Sequence, residues 1–392
     1  MARTPNPEIQ EKDLQGFKHF KLLTRLLERL HDHGCQRDRA GNRVLHYDQY
    51  AALILLYFFN PIVTSLRAIQ QVSQLQKVQR LLGCSRASLG SLSEAARVFD
   101  ADLLLGIIGD LAGQLKPIGR GAAFAEIRGV LTLVDGTLLP ALPKLVEALW
   151  RDDQHRAFKL HTHFELLKGV PVRMDLTAAN ASERAMLEAA LEPGRVYVTD
   201  RGYAGFKTFR RILEAGSSFV CRIRDNSVFE VLESRPLSPE GVAAQLAGDR
   251  LIRLKGVRAQ EVGLERPLRL IEVRCEPHRT PRGPEQGESL WILTDLLDVP
   301  AEVVALIYKH RWAIETFFRF FKHVLGCRHL LSHSTNGIRI QTYLAIIACL
   351  LIALWTERKP TLRTYEMICY YFAGLASEEE LLAHIDKLVP QV

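Results

Sequence analysis

The strongest constraint on what this chain can fold into is a change of hydrophobic period along it. Up to about residue 125 apolar residues recur every three or four positions. From residue 128 they alternate every second residue or form short apolar blocks, and from residue 300 the helical period returns. Within the middle stretch GVLTLVDGT (129–137) predicts a buried strand ending at Asp135. AFKLHTHFELL (157–167) and VPVRMDLT (170–177) predict two strands joined by a hairpin at Lys168-Gly169. A helix over 181–191, a strand over 195–202 ending at Asp200, a helix over 206–216 with a glycine stop and a strand over 217–224 follow. Strand, hairpin strands, helix, strand, helix, strand is the order of a mixed α/β core. Residues 226–290 break that rhythm with turns at Pro236, Pro239, Pro281, Gly283 and Pro284 between short apolar stretches, which predicts a β-rich insertion. SLWILTDL (289–296) predicts one more strand, and residues 300–325 one long helix with Pro300 near its first turn.

The flanks read as helical. Residues 17–30 space Phe20, Leu23, Leu27 and Leu30 amphipathically, residues 48–59 are apolar nearly all round and end at Asn60-Pro61, and Ser91 with Glu94 suggests a capping box. A helix-turn-helix over 65–99 is one reading, and generic helix packing accounts for the same pattern. Residues 336–392 are helical again. Their run Tyr343 to Trp355 is about 13 residues, short of the roughly 20 a membrane span needs, so it predicts a buried helix. At 392 residues, 47% hydrophobic and 24% charged, the chain suits a globular protein of two or three domains. The first sixteen residues are polar, with no apolar stretch of the signal-peptide kind. Seven scattered cysteines without a CxxC pair argue against a disulfide framework or a cysteine zinc site and for a reducing compartment.

The net charge is +7, and its distribution matters more than its size. Residues 201–224 carry six Lys or Arg against Glu214, and residues 301–340 carry six against Glu302 and Glu315, a combined excess larger than that of the whole chain. Both basic stretches adjoin candidate acids: Asp135 and Asp200, each at the end of an apolar strand, and Glu315 in the long helix. On an ideal helix Tyr308, Arg311, Glu315, Arg319 and Lys322 fall in a stripe about 80° wide, opposite Ile307, Ile314, Phe317, Phe321, Val324 and Leu325. One acid ringed by cations suits an anionic substrate with a metal on the acid. His161 and His163 share one strand face, but no third soft ligand lies near them or near His155, which argues against zinc.

These residues resemble the DDE transposases of insertion-sequence family four, which carry a Y-(2)-R-(3)-E-(6)-K signature. Here it reads Tyr308, Arg311, Glu315 and Lys322 with the spacing complete, while LVDGT (133–137) and VTDRGYAGF (198–206) resemble the first- and second-acid motifs. The resemblance covers about 120–340. It implies a ribonuclease-H-like catalytic core over 126–225 and 290–335, a β-rich insertion over 226–289, an N-terminal helical, DNA-binding region over 1–125 and a C-terminal helical region over 336–392. It further implies that Asp135, Asp200 and Glu315 are catalytic and hold two Mg²⁺ ions, replaceable by Mn²⁺, for phosphodiester cleavage and strand transfer. Tyr308, Arg311, Lys322, Arg319 and Arg201 would bind DNA. The partners would be the double-stranded element ends and target, without a membrane, with a homodimer forming on DNA in a bacterial cytoplasm. Some relatives flip a base onto an aromatic ring; Trp291, upstream of Glu315 at the insertion boundary, is the candidate, though a packed strand tryptophan is the simpler reading.

Other readings compete. VDGTLLP resembles the start of a haloacid-dehalogenase-like phosphatase, but Leu133 stands where that nucleophile belongs. A ribonuclease-H-like nuclease without strand transfer would share every motif. An inactive DNA-binding relative is disfavoured by the intact acids.

Overall fold

The computed structural model describes residues 26–31, 33, 41, 44–117, 121–140, 150–152, 155–255, 257–275, 289–324, 326 and 330–388. The helix expected over 17–30 therefore lies outside the described residues except for its last turn, as do the turns at Pro281, Gly283 and Pro284 and residues Leu325 and Arg328.

Ten described strands form one sheet: β1 (Val130–Pro140), β2 (Trp150–Asp152), β3 (His155–Glu165), β4 (Val170–Ala178), β5 (Arg195–Thr199), β6 (Ser218–Ile223), β7 (Phe229–Ser234), β8 (Leu246–Leu254), β9 (Leu268–Arg274) and β10 (Ser289–Thr294). β1 lies between antiparallel β3 and parallel β5; β4 pairs with the far edge of β3, and β6 runs parallel to β5. That order, β4-β3-β1-β5-β6 with three antiparallel strands followed by parallel ones, is the ribonuclease-H-like arrangement. The β3–β4 hairpin turns at Gly169, whose φ of +69° is the left-handed conformation glycine adopts without a Cβ clash. The strands of the 226–290 stretch extend this sheet rather than standing apart from it, since β10 pairs with β6 and leads on through β9 and β8 to β7.

Helices cover both faces. The described N-terminal helices are α1 (Tyr47–Phe59), α2 (Leu66–Ser73), α3 (Gln76–Leu82), α4 (Leu89–Val98) and α5 (Leu103–Gln114). α6 (Glu183–Ala189) and α7 (Phe206–Glu214) connect the parallel strands, and α8 (Pro239–Ala243) and α9 (Val257–Glu261) lie among the later ones. α10 (Ala301–Lys309), α11 (Trp312–Val324), α12 (Thr335–Thr356), α13 (Leu362–Phe372) and α14 (Glu378–Ile385) complete the chain. Strand alternation sorts side chains between two cores. Leu131, Leu133, Val196, Val198 and Val220 face a large core shared with α1, α5, α10, α11 and α12, while Val134, Tyr197, Phe219 and Cys221 face a smaller one with Phe209 and Ile212 of α7.

α12 is long and apolar enough to cross a membrane by length and composition, yet most of it is buried inside the protein, and the Tyr343–Trp355 run is core. Its apolar circumference is used on every side, against α1, α4, α5 and β4. Ser334 caps its first turn through the Gly337 N–H at 3.0 Å, and the Asn336 amide donates to the carbonyls of Ala96 (2.9 Å) and Phe99 (2.6 Å). The N-terminal helices thus belong to the same core as the sheet's large face.

Three local expectations need correction. The cap of α4 is Ser88, which accepts from Ser91 N at 3.0 Å, so the helix starts three residues before the predicted Ser91 box. β1 does not end at Asp135: β5 stops pairing at Leu133↔Val198, but pairing with β3 continues to Pro140↔Ala157. The helix predicted over 300–325 is two. At His310–Arg311 the hydrogen bonds tighten to three-residue steps, with Arg311 N to Tyr308 O at 3.0 Å and Ile314 N to Arg311 O at 3.3 Å. Neither Pro nor Gly marks this break, so no local signal announces it.

Candidate active site

β1 and β5 bring two acids to one end of the sheet. Asp135 sits two residues past the last β1–β5 pair, on the face of Leu131 and Leu133; Asp200 follows β5 directly, continuing the face of Val196 and Val198. Both therefore face the large core, beneath α10 and α11. Each is anchored by backbone: Asp135 Oδ1 accepts from Gly136 N at 2.7 Å, and Asp200 Oδ1 accepts from Gly202 N at 2.8 Å, capping the short 3-10 turn Arg201–Tyr203. Glu315 lies in the first turn of α11.

Arg311, at the break between the helices, joins two of these acids. Its guanidinium donates to Glu315 Oε1 at 2.6 Å and reaches Asp135 Oδ2 at 3.4 Å. The side chains of Arg311, Asp135 and Glu315 are 13%, 20% and 30% exposed, so this is a half-sheltered triad in which charge interactions are only partly screened. Burial pushes Asp135 up to about 6; the Gly136 N–H and Arg311 pull it down, while Asp200 and Glu315 push it further up. Asp200 thus lies close enough to act on Asp135 without being bridged to it. Burial works against the charge of Arg311, but its bond to Glu315, with Tyr308, Glu315 and Asp135 nearby, outweighs this and holds the guanidinium above its ordinary value. Tyr308, on α10, is pushed up to about 12 by burial, with Arg311 and Arg222 opposing and Cys221 and Asp200 adding to the shift.

Among the described residues no three or more His, Cys, Asp or Glu side chains stand together closely enough to hold a metal ion. Two of the acids have a guanidinium between them. An open cleft of about 990 Å³ begins at Asp135 and Glu315 and is lined further by Arg319, Lys322, His310 and an apolar wall that includes Phe317.

A family model, the transposase DDE domain, matches residues 128–351, more than half of the chain and the whole stretch from β1 into α12. The chain belongs to the DDE transposase family. A protein described as transposase y4zB, from Sinorhizobium fredii, is 30% identical over 248 residues, which are 63% of this chain and 65% of that protein. The matched region thus spans a little under two thirds of that relative. A protein described as the transposase of insertion sequence element IS5377, from Geobacillus stearothermophilus, is 21% identical over 69% of this chain and 68% of its own. Among solved structures, a piggyBac transposase synaptic complex with hairpin DNA aligns over 95% of this chain and 84% of that one at 11% identity, with a TM-score of 0.39, too loose to bear on the fold.

Within this transposase domain the candidate residues separate. Arg311, Asp135 and Glu315 touch; Asp200 and Tyr308 are their electrostatic neighbours; Arg319 and Lys322 line the cleft. Arg201 is exposed and opens toward the other side of the sheet. His161 and His163 are buried in β3: His161 Nε2 bonds Thr177 Oγ1 at 2.8 Å, and the His163 ring meets Tyr197 edge-on at 5.9 Å. Trp291 packs edge-on against Phe229 at 5.5 Å beside the smaller core.

Sequence reasoning missed three features. Trp312 is 60% exposed with the Arg311 guanidinium over its ring at 5.7 Å; only its place at the edge of the polar stripe hinted at this. The Tyr203 hydroxyl is buried without a hydrogen-bond partner, and Glu183, Asp135 and Asp200 are its electrostatic neighbours. Its spacing three residues after Asp200 was visible, but its burial was not. Glu183 pairs with Lys159 at 3.2 Å and lies against Gly136, where a Cβ would come within 2.9 Å of its carboxylate, so a larger residue after Asp135 would displace the Glu183 side chain.

Proposed function

We propose that this DDE transposase binds the terminal inverted repeats of an insertion sequence, cleaves the DNA at its ends and joins it to target DNA by phosphoryl transfer. The observation that carries the reading is the acid pair Asp135 and Glu315 at the end of the parallel strands, sharing Arg311, with Asp200 alongside. Asp135, Asp200 and Glu315 are the residues that would hold two Mg²⁺ ions, or Mn²⁺. The donor chemistry fits, being all carboxylate oxygen, with two half-buried carboxylates sharing one guanidinium. When bound, such ions activate the attacking oxygen and stabilise the leaving one.

The chain's own groups supply the rest. Arg311 neutralises Asp135 and Glu315, and its guanidinium is of the kind that pairs with a DNA phosphate. Arg319 and Lys322 grip further phosphates along the cleft. Tyr308, neutral at physiological pH, offers a hydroxyl donor beside Arg311, and Trp312 a surface on which a base can stack. The N-terminal helices contribute to recognition of the ends, and two protomers act together on a pair of ends. The site of action is the bacterial nucleoid.

The test is incubation of the full chain with DNA carrying the element's own termini, a target plasmid and Mg²⁺. Cut ends joined to the plasmid are expected. Cut ends that are never joined would make the protein a nuclease of the same fold, and binding without cutting would make it a DNA-binding relative.

A further inference from the structure

The end of β5 borders a second open surface besides the cleft. Opposite the cleft, over α6 and α7, lies a second open groove of about 1130 Å³. Arg184 of α6, Arg201 after Asp200, Lys207 in the first turn of α7 and Arg224 past β6 line it. All four are exposed, and none makes an ion pair with another described residue. The remaining charges differ. Lys255 is held by Glu230 at 2.9 Å, and Glu188 by Arg211 at 2.9 Å and Thr208 at 2.8 Å; Glu261 is the other acid of the lining.

Backbone adds to the positive field. α7 begins at this rim with Gly205 as its N-cap, and no side-chain oxygen caps its first N–H groups. Gly205 also lets Arg184 come close: a Cβ there would sit 3.1 Å from Arg184 Nη1. Unpaired guanidinium and ammonium groups beside open backbone N–H donors are the chemistry of phosphate recognition. The groove is too open to enclose a small molecule, and its cations are of the kind that bind a duplex backbone without reading sequence.

We propose that this groove holds the target duplex by its phosphates while the cleft of Arg319 and Lys322 holds the element end. This rests on the transposase reading, because joining requires two DNA segments at one set of carboxylates. Gly202, in the groove lining beside Arg201, donates its N–H to Asp200 Oδ1 at 2.8 Å, which sets the groove's rim next to that carboxylate on the side away from α11.

The experiment uses the full chain and the triple variant Arg184→Gln/Lys207→Gln/Arg224→Gln. With the protein saturated by element-end duplex, a labelled random-sequence duplex is titrated in by fluorescence anisotropy at several salt concentrations. The variant should capture the second duplex at least about tenfold more weakly and with a flatter salt dependence, since each lost phosphate contact removes about 0.9 from the log–log slope. End cutting should stay within about twofold of wild type while joining falls at least about tenfold. Unchanged capture and joining would overturn the proposal, as would a loss of end cutting equal to the loss of joining, which would assign the groove to the ends. Wild-type protein that captures the second duplex but never cuts ends would overturn the transposase reading while supporting the groove as a duplex surface.

Discussion

The two sides of the sheet use cations in opposite ways. On the α11 side Arg311 is 13% exposed and committed to Asp135 and Glu315. On the α7 side Arg184, Arg201, Lys207 and Arg224 are exposed without an ionic partner among the described residues. A guanidinium sheltered between carboxylates compensates charge the fold has partly taken out of water, and removing it leaves that charge stranded. A guanidinium in solvent contributes little to folding and is available to an external anion. The same residue type is thus part of the internal electrostatics on one side and a ligand surface on the other.

The largest effect that could break this comparison is on the chemistry. Asp135→Ala, Asp200→Ala and Glu315→Ala should each lower end cleavage by more than about 10³-fold, the scale expected when a charge-stabilising group of the reacting centre is lost, with end binding largely kept. Gel-based cleavage alongside filter binding reads both. An alanine variant that still cuts at a tenth of the wild-type rate would remove that acid from the site.

Next is Arg311. In metal-free protein at pH 7.5, Arg311→Met should destabilise the fold by about 3 kcal/mol, because two half-buried carboxylates lose their shared partner. Divalent ions should recover much of that loss in a thermal melt. A variant as stable as wild type without metal would mean that Arg311 is no more committed than the groove cations.

Asp135 gives a pH test with a definite sign. Its folded value of about 6 lies above the ordinary 3.8, so the folded chain holds this proton more tightly than the unfolded chain. The stabilisation is complete below the ordinary value and is lost as pH rises through about 6. Asp135→Asn, which cannot ionise, should therefore stabilise the metal-free protein by about 1–3 kcal/mol at pH 7.5, and the gain should vanish below about pH 4. A gain independent of pH would point to packing instead of charge.

The smallest effect belongs to the other side. Lys207→Gln and Arg224→Gln should each change stability by less than about 0.5 kcal/mol, as surface substitutions without a partner do. A loss above about 1 kcal/mol in urea unfolding would show that these cations serve the fold and would erase the contrast.

What the sequence determined by itself is local. Hydrophobic period placed β1, β3, β4, β5, β6, α6 and α7 because each element's buried face repeats at its own spacing, and the Lys168-Gly169 turn was legible because left-handed backbone favours glycine. The Glu315, Arg319 and Lys322 spacing was legible for the same reason, as side chains within a few turns of one helix share a face, whereas Tyr308 stands on α10 across the break. The tertiary structure alone decided how these pieces meet. The break at His310–Arg311 carries no local marker, and it stands where Arg311 meets Asp135, 176 positions earlier in the chain. Asp135 lies in mid-strand because β3 continues beside it after β5 has stopped. The burial of Tyr203, the approach of Glu183 to Gly136 and the separation of the basic residues into a committed arginine and an open groove all follow from which face of the sheet each side chain reaches. Period along the chain reports which residues turn inward together, but the partner they meet is set by long-range packing, and that is where charge is either compensated or left available.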